Sequence, residues 1–177
     1  MFREFCNGVT RAQYDKIIYG KTAALVESAA ACGACLAGFD AKLIEECASM
    51  GKDFGMAFQI VDDLLDLGIG AGDLGKDPFA DLDNGVMTLP MIMYRENCNT
   101  SEVIAFDELL IRASGDDSTD SKAELLALLI SSGACNDAMN VAKKYIDHAV
   151  AVLEKLPECE AREHLVQLCQ LMLDRTH

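Results

Sequence analysis

Apolar residues recur at three- and four-residue steps along most of the chain, and strict apolar–polar alternation is sustained nowhere over a useful length. That pattern predicts an all-α protein. A first helix is expected from about Thr10 to Gly38, with Tyr14, Ile17, Ile18, Leu25 and Ala29 on one stripe and Lys21 set in its middle. Asp40 can cap a second helix that runs through Asp66, with Phe39 stapling onto Ile44. The helical period then lapses from Gly68 to Gly85, a stretch punctuated by glycines and Pro78. Beyond it, Thr88 is placed to cap a short helix with Pro90 near its start and its end near Asn97. Further helices are expected over Ser101–Ala113, from the polar break at Gly115 to about Ile130, through Ala138–Leu153 with Pro157 as the stop, and from about Glu160 to Asp174.

On the second helix, at about 100° per residue, Gln59, Asp62, Asp63 and Asp66 share one arc of roughly 100°. Ile60, Val61, Leu64 and Leu65 point away from it. An acidic stripe of this kind is commonly just a solvated face. Here it runs into the irregular segment carrying Lys76 and Asp81, and long irregular segments in compact domains are commonly functional. Crowded carboxylates repel unless cations or water compensate, and Mg²⁺, which takes oxygen ligands from a few carboxylates plus phosphates, would do so. On the same helix, Gly51 and Gly55 would let a neighbouring backbone approach, and the bare Gly55 would leave room beside the acids.

Composition narrows the possible functions. The 177 residues suffice for one domain, expected over 1–177, and a hydrophobic content of 51% without tryptophan points to a core of small aliphatics. Lys and Arg number 15 against 29 Asp and Glu, for a net charge of −14, and no basic cluster stands out, which excludes a nucleic-acid partner. The uncharged, apolar-leaning run from Ser28 to Phe39, which no uncharged run in the chain exceeds, is shorter than the roughly 20 residues of a transmembrane helix. Arg3, Glu4 and Arg11 do not resemble a signal peptide, so a cytoplasmic location is expected. The eight cysteines read as reduced, small hydrophobes, and Cys32-Gly33-Ala34-Cys35 as packing within a helix. His148, His164 and His177 share no ligand spacing, and the acidic run Asp116–Asp120 reads as a polar loop.

The sequence resembles the trans-isoprenyl diphosphate synthases, or polyprenyl synthetases. The residues that carry the likeness are Tyr14-Asp15-Lys16-Ile17-Ile18, Lys21-Thr22-Ala23, Gly55-Met56-Ala57-Phe58-Gln59, Asp62-Asp63-Leu64-Leu65-Asp66, Gly75-Lys76, Asp81-Leu82, Gly85 and Thr88-Leu89-Pro90. The resemblance implies a helical bundle of the isoprenoid synthase type and a prenyltransferase joining isopentenyl diphosphate to an allylic diphosphate with Mg²⁺. By it, Asp62 and Asp66 would ligate the metal and Asp63 would support them. Lys21 and Lys76 would contact diphosphate oxygens, which would give Lys21 a partner on its apolar stripe. Thr22 and Gln59 would line the reacting centre.

Two features depart from the family. Val86 stands where the family usually carries a lysine. The likeness covers the C-terminal half alone, so the N-terminal helices and the first Asp-rich motif have no counterpart here. The bundle is therefore expected to be incomplete and the chain impaired alone, as a truncated enzyme or, alternatively, a non-catalytic partner subunit of a prenyl synthase. Uncovered apolar faces near Lys21 and Phe58 predict a homo-oligomer or a complex with a prenyl synthase chain.

Overall fold

The computed structural model describes residues 8–70, 78–115 and 118–174, and among them there is no strand. The helices are α1 (Arg11–Ile18), α2 (Ala24–Leu36), α3 (Ala41–Asp66), α4 (Ala80–Asp83), α5 (Leu89–Asn97), α6 (Thr100–Ala113), α7 (Thr119–Ser131), α8 (Ala134–Leu153) and α9 (Glu160–Asp174). Their bounds follow the local chemistry. Asp40 Oδ1 accepts from Leu43 N at 2.9 Å and opens α3. Asn99 and Glu102 form a reciprocal capping box that opens α6, with Asn99 Oδ1 accepting from Glu102 N at 3.1 Å and Glu102 Oε2 from Asn99 N at 2.8 Å.

By backbone contacts the chain divides into two compact units, residues 1–14 with 62–139, and residues 15–61 with 140–177. In the first unit α6 and α7 pack together, and α7 also meets α5. Leu82, Met91, Ile92, Phe106, Leu125 and Leu129 are all fully buried there, and the Tyr94 and Phe106 rings meet at 4.7 Å between centroids. In the second unit the buried set is smaller in volume, including Ala23, Ala57, Ile60, Ala142, Ile146 and Ala149. The exposed His148 pairs through Nδ1 with Asp53, which is only 8% exposed, and Lys155 Nζ donates to Glu46 Oε2 at 2.9 Å.

The expected helix over Thr10–Gly38 is interrupted. A π-helical turn, Tyr19–Ala23, separates α1 from α2, and Ala24 N–H reaches back to Tyr19 O. Such a turn holds one residue more than an α turn and so rotates everything after it around the axis. The predicted stripe does not hold: Tyr14 and Ile18 are buried, whereas Leu25, beyond the turn, is 78% exposed, and Ile17, before it, is 55% exposed. Lys21 is exposed as well, so it is not a lysine stranded on an apolar face.

Cys32 and Cys35 also depart from expectation. Both are exposed on α2, and neither is a packing residue, whereas Cys47, Cys135 and Cys169 are buried. Burial pushes the Cys135 thiol up to about 11 and raises those of Cys169 and Cys47. Only a thiolate alkylates, so iodoacetamide at mildly alkaline pH should label Cys32, Cys35 and Cys159 in the folded chain and Cys135 and Cys169 only after unfolding. Mass spectrometry of timed samples would read this, and equal labelling rates would contradict the burial pattern.

Candidate functional site

The last turns of α3 set the positions of three carboxylates, and in the first unit these lie in different surroundings. Asp63 is 3% exposed and turned inward. Its Oδ2 accepts from Tyr14 Oη at 2.7 Å and from Leu89 N at 3.3 Å. Leu89 is the first residue of α5, so Asp63 satisfies one of the orphan N–H groups at that helix start. Thr88 occupies the N-cap position as expected but does not cap with its side chain. Its Oγ1 is buried without a hydrogen-bond partner, because α3 has taken over the role.

Asp66, half-buried, does similar work one turn later. Its Oδ1 accepts from Ala80 N at 3.0 Å and its Oδ2 from Asp81 N at 3.2 Å, and its carbonyl accepts from Phe79 N at 2.7 Å. These bonds open α4 and hold Phe79 at φ 69°, the one non-glycine in the left-handed region among the described residues. An aromatic residue there is strained by on the order of 1 kcal/mol. The buried Phe79 ring is also met by Lys122, whose Nζ lies 5.9 Å from its centroid and 2.8 Å from Asp83 Oδ2. Burial raises the Asp66 carboxyl above its ordinary value despite the two backbone donors, and the nearby charges of Asp81 and Asp62 add to the rise. A cation would reverse that effect. Asp62 is half-buried on the same side of the helix, one turn before Asp66.

In the second unit the π-helical turn presents the other candidates. Thr22 Oγ1 donates to Gln59 Oε1 at 2.9 Å, and Gln59 is 3% exposed. The turn lies directly on α3: a Cβ on Gly55 would stand 2.5 Å from Ala23 Cα, and one on Gly51 would stand 2.6 Å from Val26 O. The close approach expected of these glycines is therefore present. The room expected beside the acids at Gly55 is not, because Ala23 fills it. Lys76 and Gly75 lie outside the described residues. Val86 is 45% exposed.

Among the described residues, no three His, Cys, Asp or Glu side chains converge as a ready-made metal cage. Mg²⁺ does not require one, since one or two carboxylates plus substrate phosphates are its usual protein-side complement. Asp62 and Asp66, hard oxygen donors one turn apart with their charges crowded, fit that demand. The tyrosine that anchors Asp63 was not identified as a site residue from the sequence. Its signal would have been a buried stripe position carrying a hydroxyl that needs an acceptor.

The polyprenyl synthetase family model matches residues 2–129. The chain belongs to the polyprenyl synthetase family. It is 33% identical over 168 residues to an octaprenyl diphosphate synthase of Haemophilus influenzae, covering 95% of this chain and 50% of the relative. A geranylgeranyl pyrophosphate synthetase of Pyrococcus horikoshii superimposes with a TM-score of 0.83 at 33% identity, over 94% of this chain and 50% of that one. A polyprenyl synthase of Caulobacter crescentus, solved with calcium and isoprenyl diphosphate, gives 0.79 at 32% identity, over 96% and 51%. The chain thus spans about half the length of the curated relatives it matches. Relatives and neighbours alike are prenyl diphosphate synthases, and the all-α architecture is theirs. Among the described residues no single helix is long and apolar enough to cross a membrane.

Proposed function

We propose that this polyprenyl synthetase chain binds an allylic diphosphate with Mg²⁺ and takes part in its condensation with isopentenyl diphosphate. The observation that carries this reading is the last turn of α3, where Asp63 is turned inward to Tyr14 and Leu89 while Asp62 and Asp66 remain on one side. Asp62 and Asp66 would hold the cation. Bound there, Mg²⁺ would supply positive charge against the diphosphate leaving group. That a Caulobacter crescentus relative was solved with a divalent cation and an isoprenyl diphosphate supports the same pairing here.

The remaining roles are assigned to this chain's own side chains. Lys21, exposed on the π-helical turn, would donate to diphosphate oxygens, and Lys76 would do the same from the segment after α3. The Thr22–Gln59 pair would present oriented dipoles toward developing allylic charge. The exposed apolar residues Ile17, Leu25, Leu36 and Phe58 support an associated form, either a homo-oligomer or a complex with a prenyl synthase chain.

Radiolabelled isopentenyl diphosphate, geranyl diphosphate and Mg²⁺ incubated with the purified chain test the activity. Because the chain is expected to be impaired alone, slow formation of labelled, acid-labile product that disappears with Lys21→Ala is the expected result. Incorporation at the same rate in Lys21→Ala, or none at any chain concentration in an associated state, would contradict the reading.

A further inference from the structure

The acidic turn contains three carboxylates of one residue type, and the structure separates Asp63, 3% exposed, from the half-buried Asp62 and Asp66. Resting on the function proposed above, we propose that Tyr14 is a positioning residue for that turn: its hydroxyl holds the Asp63 carboxylate inward, leaving Asp62 and Asp66 to face the cation. Tyr14 and Asp63 are 4% and 3% exposed, and their oxygens are 2.7 Å apart. A carboxylate that is buried to this degree needs its charge answered by donors, or it moves to water or takes a proton.

The two donors come from opposite directions in sequence. Tyr14 belongs to α1, and the Leu89 N–H opens α5, so the single oxygen Asp63 Oδ2 ties the end of α3 to Tyr14 and to the start of α5 within the same unit. Asp66 ties the same turn to α4 through Ala80 N and Asp81 N. The turn that carries Asp62 is thereby anchored to its neighbours. Removing the hydroxyl leaves Asp63 with fewer donors in a buried place, and its reorientation is transmitted to the residue next to it in sequence. Tyr14 acts through Asp63, and neither is assigned to the metal.

The test is Mn²⁺ binding to the full chain in the presence of inorganic pyrophosphate, read by the electron paramagnetic resonance of free and bound Mn²⁺. Variants are compared at a temperature where their helical circular dichroism matches the parent. Asp62→Asn should weaken binding by at least about tenfold, roughly one lost charge-assisted contact. Asp63→Asn keeps an oxygen acceptor for Tyr14 and Leu89 N–H and should stay within about threefold of the parent. Tyr14→Phe should weaken binding by about fivefold to tenfold, the usual scale of an unmet buried hydrogen bond. It should also broaden the bound-Mn²⁺ spectrum, which mere loss of stability would not do at matched folding.

The outcomes separate the two readings. Asp62→Asn binding as the parent does would overturn the metal site itself. Loss with Asp62→Asn but parental affinity and spectrum with Tyr14→Phe would overturn the positioning role alone. Asp63→Asn falling as far as Asp62→Asn would also overturn it, because Asp63 would then be a ligand. Should Tyr14→Phe not fold, Asp63→Asn still decides whether Asp63 is held for support or for the metal.

Discussion

Asp63→Ala is expected to lose about 2–4 kcal/mol of unfolding free energy, the range for deleting one member of a buried polar cluster and leaving its partners unmet. The alanine methyl leaves the Tyr14 hydroxyl and the Leu89 N–H without the oxygen that now accepts from both at 2.7 and 3.3 Å. Buried donors lose their water on folding, so an unmet one costs more than the bond itself was worth. The start of α5 is then uncapped, because the neighbouring Thr88 makes no side-chain cap bond. Urea denaturation followed by circular dichroism should show a lower midpoint with an unchanged slope. A loss under about 0.5 kcal/mol would mean that surface-like replacements are tolerated there and that Asp63 is not a structural centre.

The second large effect has the opposite sign from helix propensity. Gly55→Ala should gain up to about 1 kcal/mol from propensity alone. It is nonetheless expected to destabilise by about 2 kcal/mol, because overpacking of this kind costs 1–3 kcal/mol and sometimes more. The added Cβ would stand 2.5 Å from Ala23 Cα and 3.0 Å from Ala23 Cβ, and backbone cannot swing aside as a side-chain tip can. Gly33→Ala is the contrasting change. It lies within α2, nothing stands within 4 Å of its added Cβ, and it should raise the melting temperature. Parallel gains from both substitutions would show that α3 does not press on the π-helical turn.

Much of the fold was legible because its boundaries are written in local chemistry. Asp40 and the Pro90 start mark helix ends whatever surrounds them, and α3 ends at Asp66 as the pattern predicts. The π-helical turn was not legible. Tyr19-Gly20-Lys21-Thr22-Ala23 carries no periodicity of its own, and the extra residue becomes visible only through the glycine contacts of α3. Carrying an unbroken α period across it put Leu25 on the wrong face.

The candidate site was legible as a set of residue types and less so as a set of roles. Counting Asp62, Asp63 and Asp66 into one arc of about 100° treated its two edges alike. Asp63 lies at the edge nearer Ile60 and Leu67, both fully buried, and Asp62 at the edge nearer the exposed Phe58. Weighing Leu67 with the helix would have separated the two acids. The partner for Asp63, Tyr14, is 49 positions away and could come only from tertiary packing.

Calorimetric titration with geranyl diphosphate decides whether the α3 acidic turn holds an allylic diphosphate through a divalent cation. With Mg²⁺ present the chain should bind, and with Mg²⁺ chelated the affinity should fall by at least about tenfold. Asp62→Asn should show the weak affinity in both conditions while melting as the parent does. Binding that ignores Mg²⁺, or that Asp62→Asn leaves unchanged, would contradict the account.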